Sequence, residues 1–391
     1  MAEPEFRQLQ SELLRELRGS QLLAHPDIDA AFSQIPRHLF LPEFDLTTVY
    51  QDKAIALKVS PSGETLSSSS QPTMMAIMLQ QLRLAPDMNV LEIGTASGYN
   101  AAILSRIVGA GGYTTTLEID RELAEEARNN LLRAGFGKVL VVDCDAAGGY
   151  EPRAQYDRIL ATAGVWDVPR KWLQQLRADG RLVVPIWLDG VQVSAAFTPQ
   201  PDGTYLSVDN RPCAFVYLQG LAAGPDVRKR VGGGYMEVIA DDIDKIDTAA
   251  LHLLLSEDVE IQRLGKVLRP EEFWYGLQLY LMMREPPRYV FAVYAIPEGE
   301  LAYGMAGNGI MLFRPNSAVF AAYDDGGVVR CYGGAAAFLK LQALFDDWLS
   351  LQGPLVNRLS LQLIPLEMGE PLIETGKLFR RKDHYLHVWL D

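Results

Sequence analysis

Cysteine is scarce in this 391-residue chain: Cys144, Cys213 and Cys331 stand far apart, with no CxxC pair. An odd, dispersed set argues against a disulfide framework or a thiolate zinc site, and a reducing cytoplasm is expected. Long apolar runs are also missing. No stretch approaches the roughly 18 apolar residues that a membrane span requires. The N-terminal MAEPEFRQLQSELLREL is charged and amphipathic, without the apolar run of a signal peptide. Positive charge is in deficit, with 36 Lys and Arg against 49 Asp and Glu, a net of −13. That excludes sequence-independent nucleic-acid binding as a first expectation, because such binding needs cations to displace counterions. A local basic patch for an acidic peptide remains compatible with it.

The chain has 48% hydrophobic and 22% charged residues, and its length suits two globular domains. Apolar spacing predicts helices over 5–18, 26–32 and 73–82. Between them, SPSGETLSSSSQP (60–72) reads as loop. From Asn89, strands alternate with helices: NVLEIG, helix 100–108, YTTTLEID, helix 121–134, VLVVD, YDRILATA, helix 169–177, RLVVPIW. This order means a parallel sheet covered on both faces, with a ligand beyond the carboxyl ends of its strands. LAAGPDVRKRVGGG, in the 220–248 stretch, reads as a linker whose Arg228, Lys229 and Arg230 are solvated. Beyond it, helices near 248–255, 270–283 and 335–351 and the strands YVFAVYAI, GIMLF, AVFAAY, VVRCYG, LSLQLIP and YLHVWL suggest an α+β module with an antiparallel sheet.

VLEIGTASGYN (90–100) is the most informative segment. A strand runs into a turn where Gly94 and Gly98 permit tight backbone and close ligand approach. Amides at the following helix start suit a carboxylate or phosphate. The next strand places Glu118 about 20 residues on, where it can accept from two ribose hydroxyls. Asp145, after VVDC, can accept from an adenine amine. A dinucleotide dehydrogenase is the main rival, but it usually carries GxGxxG, and Ala96 stands between the glycines here.

Several ordered motifs now add to this: IPRHLFLPE, VYQDKAIAL, SSQPTMMAIML, VLEIGTASGYNAAIL, YDRILATA and LRADGRLVVPI. From about Ile35 to about residue 200 the chain resembles protein-L-isoaspartate O-methyltransferases. The resemblance implies an α/β fold of the class I methyltransferase type, a Rossmann-like doubly wound sheet, followed here by a smaller α+β C-terminal domain. The division expected is 1–222 for the methyltransferase domain and 223–391 for an accessory domain, with acceptor-side elements in 1–80. It further implies S-adenosylmethionine over Gly94–Gly98. The cofactor set becomes Glu92, Gly94, Thr95, Ala96, Ser97, Gly98, Glu118, Asp145 and Ala146, with Glu118 at the ribose and Asp145 at the adenine. Ser70 is the implied hydroxyl at the transfer site, with Ser69, Gln71, His38 and Trp166 toward the substrate.

The departures matter for the acceptor. Ala96 replaces the family's glycine, and the serine run lengthens the loop before Pro72. Val165 and Trp166 stand where small residues are usual. The serine-rich loop and long C-terminal module resemble a subgroup that methylates an aspartate in a lanthipeptide, lasso peptide or graspetide, the ester then collapsing to aspartimide or isoaspartate. General isoaspartyl repair, another carboxyl or small-molecule methyltransferase, and a non-catalytic binding module are the alternatives. No metal is expected: His384 and His387, at i and i+3 of an end strand, face opposite sides. Leu339, Leu341, Leu344, Phe345, Trp348 and Leu349 read as one helix's core face.

Overall fold

The structure is a computed structural model describing residues 2–391, with side chains from residue 5. Its central feature is a 10-stranded mixed sheet. Five strands run parallel: Leu140–Asp143, Tyr113–Glu118, Asn89–Ile93, Tyr156–Ala161 and Leu176–Leu188, in that spatial order. They are the runs expected; the inner strands are largely buried, as strands covered on both faces require, while the edge strand Leu140–Asp143 is only partly so. The helices Tyr99–Val108, Arg121–Arg133 and Arg170–Gln175 connect them. On one face, Ala2–Gly19, Pro26–Gln34 and Pro72–Leu82 pack with Tyr99–Val108 into a core containing Leu17, Phe32, Leu79 and Leu104.

The sheet does not stop there. Val191–Pro199 and Tyr205–Cys213 extend it antiparallel from Leu176–Leu188. Leu359–Pro365 then pairs with Tyr205–Cys213, and His384–Leu390 and Lys377–Arg380 complete the edge. The last strands of the chain therefore belong to the same sheet as Asn89–Ile93. Between them, a 7-stranded antiparallel sheet spans Arg228–Arg230 to Val328–Gly333, covered by Thr248–Leu255 and Ala336–Ser350. Phe345 and Trp348 share one continuous core with Leu91 and Ile186 of the parallel sheet and Trp172 of the helix Arg170–Gln175. The expected division at 222/223 thus does not coincide with the sheet boundaries: strand pairing and a shared core carry the C-terminal segment back across it.

Three local expectations are corrected. The 60–72 loop is mostly a hairpin, Ile55–Val59 with Thr65–Ser69, turning near Gly63 at φ +88°. Antiparallel pairing satisfies a serine-rich backbone that composition alone assigns to loop. Arg228–Arg230 is an edge strand against Glu237–Ile239, not a linker. Leu339 lies on the solvent side of its helix, 63% exposed, while Leu341, Leu344, Phe345 and Trp348 are buried. Among the described residues, no helix is long and apolar enough to cross a membrane.

Candidate active site

The carboxyl ends of the parallel strands form one wall of an open cleft. Asn89–Ile93 leads into the 94–98 turn. Gly94 has φ +96°, and a Cβ there would lie 2.6 Å from Thr162 Oγ1, the hydroxyl that donates to the carbonyls of Ile93 (2.9 Å) and Gly94 (2.8 Å). Only glycine suits both the conformation and the contact. Gly98 packs on Ala127 and Leu131 rather than facing the cleft. Ala96, at φ +49°, adopts left-handed backbone despite its Cβ. Its N–H donates to Glu118 Oε2 at 2.9 Å, which holds the turn in place.

Glu118 ends Tyr113–Glu118 and lines the cleft. Its other oxygen accepts from Asp120 N–H at 3.1 Å. Each carboxylate oxygen keeps a further lone pair for a ligand hydroxyl. Burial raises its pKa, and the amides of Ala96 and Asp120 partly offset that. Glu92 sits behind the turn, fully buried, accepting from Asn100 Nδ2 and Thr116 Oγ1, each at 2.6 Å. Burial pushes its carboxyl up to about 7. Glu92 and Gly98 support the turn, whereas Gly94, Thr95, Ala96, Ser97, Glu118 and Ala146 line the cleft itself.

Asp145 stands at the rim with both oxygens engaged. Oδ1 caps the turn at Ala147 N–H (2.8 Å), and Oδ2 accepts from Leu221 N–H (2.7 Å). It ties down a segment, 216–222, of which Val216–Gln219 cover the cleft. Gln219 Nε2 reaches the Leu66 carbonyl at 3.3 Å, joining that segment to the serine hairpin.

Ser67, Ser68, Ser69 and Ser70 form the opposite wall. Among the described residues, none hydrogen-bonds the Ser70 hydroxyl, while its carbonyl accepts from Arg37 Nη2 at 2.9 Å. Gln71 is turned away, its amide donating to Asp52 Oδ2 at 2.9 Å. His38 lies outside the cleft, against Phe6 and bonded to Tyr50 Oη at 2.8 Å. Trp166 also lies outside it, donating to Asp241 and stacked under Arg381.

Three residues missed in the sequence organise this wall. Arg37, 1% exposed, reaches the carbonyls of Val49, Gln51, Lys53, Ser69 and Ser70. Asp52 accepts from Gln71 and from Thr73 N–H. Lys58 pairs with Asp120 across the cleft. Arginine in the PRHLF motif was the available signal, since a buried arginine must gather carbonyls or carboxylates. Asp52 lies in the VYQDKAIAL motif, which was an available signal for it, whereas nothing in the sequence marks Lys58.

A parallel sheet with a glycine-bearing turn after one strand and a carboxylate ending the next is common to class I S-adenosylmethionine-dependent methyltransferases and dinucleotide-binding folds, and comparison with known proteins places the chain with the methyltransferases. The family model for protein-L-isoaspartate(D-aspartate) O-methyltransferase matches residues 7–223, and the chain belongs to this family. A protein-L-isoaspartate O-methyltransferase of Methanopyrus kandleri is 36% identical over 216 residues, covering 55% of this chain and 93% of that protein. One from Archaeoglobus fulgidus is 40% identical over 182 residues, covering 46% and 80%. One from Thermotoga maritima is 40% identical over 180 residues, covering 46% of this chain but 56% of that longer protein. A solved structure of a protein-L-isoaspartate O-methyltransferase aligns over 97% of this chain and 99% of its own, at TM-score 0.53 and 23% identity. That likeness concerns the fold, and it extends through the C-terminal module.

The residues present fit the family's cofactor, S-adenosylmethionine. The Gly94 approach leaves no room for a side chain, Glu118 has lone pairs free for ribose hydroxyls, and one cleft is lined by both Gly94–Ser97 and the serine wall.

Proposed function

We propose that the chain methyl-esterifies a carboxylate of an aspartyl or isoaspartyl residue in a peptide or protein, and within that class an aspartate of a ribosomally made, modified peptide. The observation that carries the reading is that Ser70, whose hydroxyl has no hydrogen-bond partner among the described residues, lines one cleft together with the Gly94–Ser97 turn. Bound there, S-adenosylmethionine supplies a methyl group on a positively charged sulfur. A carboxylate is already nucleophilic at neutral pH, so the protein needs no strong base. Its residues hold and orient. Glu118 takes ribose hydroxyls, the 94–97 turn takes the amino-acid end, and Asp145 fixes the adenine side through the 220–222 backbone. Ser70 donates to one acceptor oxygen and turns the other toward the transferable methyl.

Ser67, Ser68 and Ser70 along the wall favour a peptide held at several points, whereas Ser69 is buried with its hydroxyl accepting from Arg37 Nη2 at 3.4 Å; residues 223–391, read as an accessory unit, add further surface. General isoaspartyl repair is favoured instead by the names of the relatives, one of which also extends well beyond the matched region. The module is therefore not what separates the two readings. The net charge of −13 supports a partner other than nucleic acid, and the cytoplasm suits the three unpaired cysteines.

Methyl-labelled cofactor, a linear isoaspartyl peptide and a conformationally constrained aspartyl peptide decide between them by mass. Labelling of the constrained peptide at least tenfold faster supports tailoring. Preference for the linear isoaspartyl peptide supports repair and removes the finer reading. Labelling of neither, with no S-adenosylhomocysteine bound, removes both.

A further inference from the structure

Arg381 is buried completely, on the turn that joins the last two strands of the chain. Its guanidinium lies 4.4 Å over the Trp166 ring and 4.7 Å from the Phe379 ring. One nitrogen pairs with Asp241, which also accepts from Trp166 Nε1 at 3.1 Å. Among the described residues, Nε and Nη2 have no hydrogen-bond partner. The neighbouring residues fasten the same turn: Asp167 Oδ2 accepts from Asp383 N–H at 2.6 Å, and its Oδ1 lies 3.3 Å from His384 Nδ1.

A charge buried this way is a poor brace, because apolar side chains of similar volume stabilise such places as well or better. What a stacked, paired guanidinium adds is a defined geometry. That geometry leads to the cleft. Trp166 and Asp167 follow directly on Gly164 and Val165. Gly164 N–H donates to the Val216 carbonyl at 2.8 Å, and Leu218 N–H donates to the Gly164 carbonyl at 2.9 Å. Val216–Gln219 cover the cleft, and Thr162 and Ala163 line it.

We propose that Arg381 is a positioning residue for methyl transfer: from the far end of the chain it holds the 162–168 turn, and through Gly164 it sets the cleft-covering segment 216–219. The inference rests on the cleft's being the transfer site, but its physical core does not need turnover to be tested. The C-terminal module then acts on the reaction through a shared turn, without touching cofactor or acceptor.

The test uses the full chain with Arg381→Met, Arg381→Lys and the milder Trp166→Phe, which keeps a ring under the guanidinium but removes the bond to Asp241. Amide hydrogen exchange is followed at Gly164 and Leu218, with the Asn89–Ile93 strand as internal reference. Exchange at the two amides should accelerate at least tenfold in Arg381→Met, less in the other two, with the reference strand unchanged. Labelled methyl transfer to the linear isoaspartyl and constrained aspartyl peptides should show kcat/KM reduced about tenfold, with S-adenosylhomocysteine affinity altered less than threefold. Should Arg381→Met fail to fold, the same pattern is read in Trp166→Phe. Wild-type exchange at Gly164 and Leu218 overturns the proposal. So does a lowered melting temperature with wild-type kcat/KM below it, which makes the network a brace. A wild-type chain that methylates neither peptide defeats the functional reading instead and leaves the exchange result to judge this one.

Discussion

Arg37 Nη2 donates to the Ser70 carbonyl at 2.9 Å, across 33 positions of sequence. The same guanidinium bonds the carbonyls of Val49, Gln51 and Lys53, so one buried cation shapes the backbone around the serine wall. Arg37→Met leaves these carbonyls without their donor. Hydrogen bonds to charged groups contribute roughly 1.5–3 kcal/mol each, so a loss of at least about 3 kcal/mol is expected. Chemical denaturation should show it, and methyl transfer below the melting transition should fall more than tenfold. An unchanged denaturation midpoint contradicts this account of the wall.

Ser70→Ala isolates the hydroxyl, because the backbone bond to Arg37 survives the substitution. If the hydroxyl orients the acceptor, transfer should slow by about 10²-fold through misplacement, with cofactor affinity near wild type. Steady-state kinetics alongside calorimetry measures both. Equal activity returns Ser70 to a purely structural place in the hairpin.

Glu118→Ala removes the acceptor for ribose hydroxyls and the partner of Ala96 N–H. S-adenosylhomocysteine should bind about 10- to 150-fold more weakly, the equivalent of one lost charge-assisted hydrogen bond. Glu118→Gln, which retains one acceptor oxygen, should fall between. Tight NADH binding with none of S-adenosylhomocysteine contradicts the site's assignment.

Glu92 links stability to pH. Burial lifts its carboxyl from 4.5 to about 7 in the folded state. Between those values the folded chain keeps a proton that the unfolded chain has lost. Stability from this group is therefore fully present below about 4.5, falls as pH rises to about 7, and is then level. The span corresponds to ~3 kcal/mol at 1.36 kcal/mol per pKa unit. Glu92→Gln cannot ionise. The difference in unfolding free energy between variant and wild type should grow in the variant's favour from pH 4.5 to 7. A pH-independent difference shows that Glu92 does not titrate there.

Truncation after residue 222 should yield insoluble or molten protein. It strips Leu359–Pro365 from the Tyr205–Cys213 edge and splits the continuous core that the parallel sheet shares with the C-terminal segment. Unpaired edge strands and exposed apolar patches favour aggregation. A soluble 1–222 fragment with cooperative melting refutes the shared-core account.

Much of the cofactor side was legible because its signals are local. Strand, glycine turn, helix and terminal carboxylate lie within 30 residues of one another, from Asn89 to Glu118. Backbone conformation at Gly94 and the alternation of apolar runs follow from neighbours in sequence. The acceptor side was less legible. The serine run lacks the apolar pattern of a strand, and only pairing with Ile55–Val59 makes it one.

Short-range periodicity and turn chemistry thus specify the parallel α/β half, its carboxyl-end turn and the carboxylates around it. Which residues meet across long separations depends instead on how the sheets pack. Arg37 reaches Ser70, Asp145 holds Leu221, and Asp167 receives Asp383 from the end of the chain. Each of these satisfies a buried or half-buried polar group whose partner lies 33 to 216 positions away. Spacing carries no record of such a partner, because burial is set by the packed sheets and not by the residues beside it.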